Sequence, residues 1–142
     1  EMKKVSKEEL AKIVERHGKF LRGEEGGEWA DLSGVDLRWA DLHGADLTGA
    51  RMAGAWLIGA NLGGANLGGA VLRETDLSMA CLSRANLAGA DLAGADLTGA
   101  RMTGARMAGA NLGGADLHWA DLRWADLRWA DLTGAIMDGA ID

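Results

Sequence analysis

Ala30-Asp31-Leu32-Ser33-Gly34-Val35-Asp36-Leu37-Arg38-Trp39-Ala40-Asp41-Leu42-His43-Gly44-Ala45-Asp46-Leu47-Thr48-Gly49 is four variants of one five-residue unit. Leu stands at 32, 37, 42 and 47, and the spacing then runs without a slip to Met137, giving 22 Leu or Met. Two residues before each lies a small residue, Ala at every position except Val35 and Thr75. Period five fits neither regular structure. On an α-helix five residues advance the side chain by roughly 140°, which smears Leu around the axis. On a flat strand an odd step alternates faces. Only a chain that turns a corner in every repeat keeps all these Leu on one side. The pattern therefore predicts a solenoid whose axis the Leu point toward.

Outward from that array the N-terminal residues 1–29 differ. Ser6 followed by Glu9 has the spacing of a capping box, and Val5 with Leu10 that of a hydrophobic staple. Leu10, Ile13, Val14, His17 and Leu21 share one side of a helix, with Gly18 expected to end or kink it. Gly23, Gly26 and Gly27 with Glu24 and Glu25 read as a flexible joint. An end coil of a solenoid exposes apolar core and unpaired backbone, so this amphipathic piece is expected to act as a lid. Two segments result: a helical cap with its Gly/Glu-rich joint at 1–29, and the repeat array at 30–142.

Composition narrows the class further. The net charge is −6, which argues against direct nucleic-acid binding through basic patches. One cysteine, Cys81, excludes an internal disulfide and fits a reducing, cytoplasmic setting. There is no run of eighteen apolar residues, so no membrane association is expected. The 22 Gly and absent Pro resemble disorder by count, but the strict Leu/Ala register rejects it.

The units Ala30-Asp31-Leu32-Ser33-Gly34, Ala45-Asp46-Leu47-Thr48-Gly49 and Ala60-Asn61-Leu62-Gly63-Gly64 resemble the A(D/N)LXX motif of the pentapeptide repeat family. The resemblance covers about four-fifths of the chain. It implies an all-β solenoid, a right-handed quadrilateral β-helix of about five and a half coils with four repeats per coil, here with an N-terminal capping α-helix. Some members are acidic dimers that occupy the DNA-binding site of a type II topoisomerase and protect it from quinolones. This chain shares their negative balance. It departs from them in carrying Arg51, Arg101 and Arg106 and in lacking any long projecting loop.

With four repeats per coil, outward residues sort into four walls. The wall of Asp36 carries Asp36, Asp76, Asp96, Asp116 and Asp138 against Arg38 alone. It also holds Trp39, Trp56, Ile58, Met79, Trp119 and Ile136. Stacked like charges repel by roughly 1 kcal/mol per pair in water, so a column that keeps them beside aromatics reads as a contact surface. The plainer reading of any single Asp is corner chemistry, its carboxylate bonding nearby backbone N–H groups. Trp119, Trp124 and Trp129 close three successive repeats and form a belt near the C-terminal end. With Ile136, Met137 and Ile141 they make a candidate end for self-association, since an uncapped coil edge is a template for pairing.

No catalytic or metal set appears. His17, His43 and His118 are scattered, and Cys81 has no ligand partners at suitable spacing. The expectation is a non-enzymatic scaffold without cofactor that binds an unidentified protein. An acidic DNA mimic and a near-consensus array with no specific partner are the alternatives.

Overall fold

Each repeat is a bend held by the same few backbone bonds. In the unit Ala80–Arg84, the Leu82 amide donates to the Arg101 carbonyl at 2.7 Å and the Arg84 amide to the Thr103 carbonyl at 2.9 Å. The Ala85 amide turns back to the Leu82 carbonyl at 3.0 Å, which closes a β-turn over Ser83 and Arg84. The third residue of that turn has positive φ, as a type II turn requires. Glycine supplies it in 15 of the 22 repeats. The seven other closing residues, Trp39, Glu74, Met79, Arg84, Trp119, Trp124 and Trp129, take φ between 55° and 64° all the same. The global register overrides a local preference worth roughly 1–2 kcal/mol per residue.

The computed structural model describes residues 2–142; Glu1, the first residue of the expected cap, lies outside them. Parallel bridges join positions twenty residues apart, Asn61 to Cys81 and Cys81 to Arg101 among them, so four five-residue units separate stacked positions. These are single-residue bridges. Among the described residues the named strands are only two residues long. The expected β character is therefore present as ladders of isolated bridges and not as strands. The reason is geometric: the chain must turn again before a longer extended segment can form.

Inside, Leu and Ala alternate large with small and are sealed from water. Leu62, Leu82 and Met102 are fully buried, one twenty-residue step apart. The sealed core runs from Leu32 to Leu122, while Leu132 and Met137 are exposed. Thr75, one of the two exceptions in the small-residue slot, is buried and its hydroxyl donates to the Leu72 carbonyl at 2.8 Å.

At the N-terminal side β1 (Lys3–Lys4) lies parallel to β2 (Val35–Asp36), with Lys3 opposite Val35 and Lys4 opposite Asp36. Helix α1 (Lys7–Leu21) follows. Ser6 caps it, its hydroxyl accepting from the Glu9 amide at 3.1 Å. Glu8 and Glu9 in the first turn and Lys19 in the last suit the helix dipole. Leu10 joins the core, and Val5, Ile13 and Val14 pack against it. Three expectations need correction. Gly18 does not end the helix, which runs on to Leu21. Leu21 is exposed and not packed on the apolar side, and its neighbour Phe20, also exposed, meets Trp29 edge-on. The Gly-rich joint is a hydrogen-bonded turn: Glu28 N–H donates to the Arg16 carbonyl, and Gly27 lies so close to Phe20 that a Cβ would meet its backbone nitrogen at 2.4 Å.

His17 fastens α1 to the array. It is fully buried, its Nδ1 accepts from the Ala30 amide at 3.0 Å, and its Nε2 lies 2.7 Å from the Thr48 carbonyl. An accepting Nδ1 leaves the proton on Nε2, so the neutral ring donates to Thr48 and bridges helix and coil. Trp29 stands edge-on to the same ring.

Candidate interaction wall

The wall that begins at β2 presents three parallel columns. The bridge ladder sets the first, Asp36, Trp56, Asp76, Asp96, Asp116 and Ile136. Two residues further along each repeat come Arg38, Ile58, Ser78, Thr98, His118 and Asp138. At the corner stand Trp39, Gly59, Met79, Gly99, Trp119 and Gly139, all with positive φ. The candidate residues of this wall are thus brought onto one face.

The Asp side chains first do structural work. Asp76, Asp96 and Asp116 each accept, through Oδ1, the backbone N–H two residues on and the side chain of that same residue, Ser78, Thr98 or His118. Asn61, Asn66, Asn86 and Asn111 accept the same backbone bond elsewhere. The corner reading therefore holds for each residue singly. Asp116 is held below the ordinary carboxylate range, chiefly by the His118 N–H and then by its ring.

Where Arg stands two residues after Asp, the pair forms a fork. Arg38 with Asp36, Arg123 with Asp121 and Arg128 with Asp126 each make two guanidinium bonds of 2.6–2.9 Å. These bonds, with the adjacent backbone N–H, pull all three carboxyls down to about 2. The signal was legible as the triplet Asp-Leu-Arg, but its meaning needed the bend that brings i and i+2 to one side. Arg38 also lies over the Trp56 ring at 5.1 Å. With Lys4 beside Asp36, the N-terminal part of the wall is charge-compensated. The acidity sits further along, at Asp76, Asp96, Asp116 and Asp138, where the three columns carry no Lys or Arg.

The corner column follows a rule that the sequence did not reveal. Trp39 lies on Gly59, where a Cβ would meet its ring at 2.0 Å. Met79 lies on Gly99, its sulfur 2.6 Å from such a Cβ, and Trp119 lies on Gly139 at 2.2 Å. Large closing side chains thus rest on the glycine of the next coil. Trp39, Met79 and Trp119 remain 73%, 62% and 68% exposed. A groove between α1 and the first coil, lined by Val5, Leu10, Val14 and Leu42, ends at Trp39.

At the C-terminal end Trp124 and Trp129 are 88% and 84% exposed, on separate corners. Ile136, Met137 and Ile141 are exposed beside them. Trp119 belongs more to the wall than to this end, because it lies over Gly139. Cys81 is a free, half-buried thiol between Asn61 and Arg101 in its ladder. Among the described residues no group of three or more His, Cys, Asp or Glu is placed to hold a metal ion, and no helix is long and apolar enough to cross a membrane.

A right-handed solenoid of bent five-residue units, with Leu or Met inward in every unit and Asp or Asn before it in most, defines the class of this molecule. The sequence profile described as pentapeptide repeats matches residues 28–55, 50–89, 85–123 and 120–141, in 8 copies, and the chain belongs to that family. Among solved structures it is similar to the pentapeptide repeat protein Rfr23 from the cyanobacterium Cyanothece 51142, at 29% identity and TM-score 0.62, over 79% of this chain and 87% of that one. It is also similar to a pentapeptide repeat protein from the Arabidopsis thaliana thylakoid lumen, at 35% identity and TM-score 0.55, over 62% and 65% of the two chains. QnrB1, a plasmid-mediated fluoroquinolone resistance protein, aligns at 18% identity with TM-score 0.43, over 79% and 72% of the two chains. No curated protein sequence matches the chain significantly.

Proposed function

We propose that this chain is a non-enzymatic scaffold that docks a protein partner on the wall of Asp36, Trp39, Trp56, Ile58, Asp76, Met79, Asp96, Asp116 and Trp119. It is a quadrilateral coil of about five and a half turns whose N-terminal mouth is plugged by residues 2–29. The observation that carries this reading is the exposed Trp39, Met79 and Trp119 aligned on one corner, the last two beside an acidic column without Lys or Arg. Apolar side chains held out of the core beside one sign of charge are the composition of a contact surface. The test is capture of a partner by the wild type against two wall variants. One is Met79→Gly, and the other is the triple change Asp76→Asn, Asp96→Asn and Asp116→Asn. Asn keeps the corner bond, as Asn61 and Asn66 do, so the fold is retained. Capture that is indifferent to both variants overturns the reading.

The exposed apolar residues at the C-terminal end support a second contact, self-association through Trp124, Trp129, Ile136, Met137 and Ile141. Sedimentation is expected to show a dimer that Trp124→Gly with Trp129→Gly dissociates; a monomer at high micromolar concentration rejects it. The topoisomerase-mimic reading is the competing function, and a gyrase supercoiling assay with quinolone separates it from the scaffold. A very stable protein that responds in none of these assays is a structural array.

A further inference from the structure

The corner ridge has a period of its own. Trp39, Met79 and Trp119 stand two coils apart, with glycines between them. Parallel-bridged coils stack at roughly 4.8 Å, so the knobs recur about every 9.6 Å. A partner lying along the ridge must return the same side to it at that interval. An extended strand does so at about 6.6 or 13.2 Å, which fits neither way. An α-helix returns at its seventh residue, about 10.5 Å, and is out by about 1.8 Å across the two intervals. A polyproline II segment returns at every third residue, about 9.3 Å, and is out by about 0.6 Å. It also has few conformations to lose on binding, and aromatic surfaces are its usual seat.

Charge supplies the second requirement. Asp76, Asp96 and Asp116 each use Oδ1 for the corner bonds, and the Thr98 hydroxyl also draws on Asp116. These carboxylates run beside the ridge at one-coil spacing, with no Lys or Arg in the wall's three columns from residue 76 onward. We propose that the Trp39–Met79–Trp119 ridge and its acidic flank bind a basic, proline-rich segment in the polyproline II conformation. Prolines pack on the three knobs, and Lys or Arg along the Met79–Trp119 stretch reach Asp76, Asp96 and Asp116, while at the Trp39 end, beside Arg38 and Lys4, the contact is proline alone. This rests on the wall being the contact surface and names the partner's chemistry.

The experiment titrates the full chain with a fifteen-residue peptide of Pro-Pro-Arg repeats, followed by tryptophan fluorescence and calorimetry. The comparison peptides are a Pro-Pro-Glu repeat and a helical Leu/Lys peptide of equal positive charge. The arginine peptide is expected to bind, the glutamate peptide not at all, and the helical peptide at least tenfold more weakly. Met79→Gly is expected to weaken binding of the arginine peptide at least tenfold. That variant folds, since Gly already occupies 59, 99 and 139 of the same column and relieves a φ of 60°. The triple Asp-to-Asn variant loses binding and its salt dependence. No binding of the arginine peptide, preference for the helical peptide, or indifference to Met79→Gly overturns the proposal. If the peptide fails while Met79→Gly still abolishes partner capture, the wall remains the contact surface and only the polyproline assignment falls.

Discussion

Gly59→Ala tests the packing of the corner column, with Gly64→Ala as its control. Both glycines close a repeat, at φ 67° and 66°. At Gly64 a Cβ would meet nothing within 4 Å, because the residue one coil before is Gly44. That substitution carries only the cost of a left-handed Ala, roughly 1–2 kcal/mol, less a few tenths recovered from a stiffer unfolded chain. At Gly59 the new methyl falls on the Trp39 ring, 2.0 Å from its nearest carbon, so the indole must lift away. Trp39 is 73% exposed, so about a quarter of its surface is covered. A quarter of roughly 250 Å² at about 25 cal/mol per Å² is about 1.6 kcal/mol. Gly59→Ala is therefore expected to cost about 1–2 kcal/mol more than Gly64→Ala in urea denaturation. In a Trp39→Gly background that excess disappears, because nothing is left to displace. Equal costs for the two glycines, or an excess that survives without Trp39, would refute the packing rule.

Leu82→Ala opens a cavity in the sealed interior and is expected to cost roughly 2–5 kcal/mol by denaturant melting, whereas Leu132→Ala, at an exposed position, costs under about 1.5. His17→Leu leaves the Ala30 amide and the Thr48 carbonyl without their partner and is expected to cost about 2–4 kcal/mol, with faster hydrogen exchange at Ala30. Unchanged exchange there contradicts the pin. Asp36, Asp121 and Asp126 titrate at about 2 in the folded chain against 3.8 ordinarily, so the stability they add is present above about pH 4 and is lost as pH falls through 2. Arg123→Gln is expected to move the Asp121 midpoint up toward 3.8, read by carboxyl NMR; a midpoint still near 2 assigns the shift to the backbone N–H instead. In protein dilute enough to be monomeric, Trp124→Gly removes a positive-φ side chain that is almost wholly exposed, and the melting temperature is expected to hold or rise.

The sequence by itself determined the interior. A Leu or Met every fifth residue with Ala two before it admits one solution, a chain that bends in each unit, and Leu62, Leu82 and Met102 are buried as that requires. It also determined the capped helix, from Ser6 and the apolar side running from Leu10 to His17. These are short-range facts, set by neighbours a few residues apart. What crosses coils was decided only by the tertiary structure. Trp39 on Gly59, Met79 on Gly99, β1 beside β2, and His17 between Ala30 and Thr48 join residues from 13 to 32 positions apart. Their pairing depends on how many units make one turn and on where the N-terminal segment lands. No local preference encodes either quantity, which is why the helix side holding His17 is legible in the sequence and its two hydrogen-bond partners are not. Stacking energy, summed over every coil, fixes both at once.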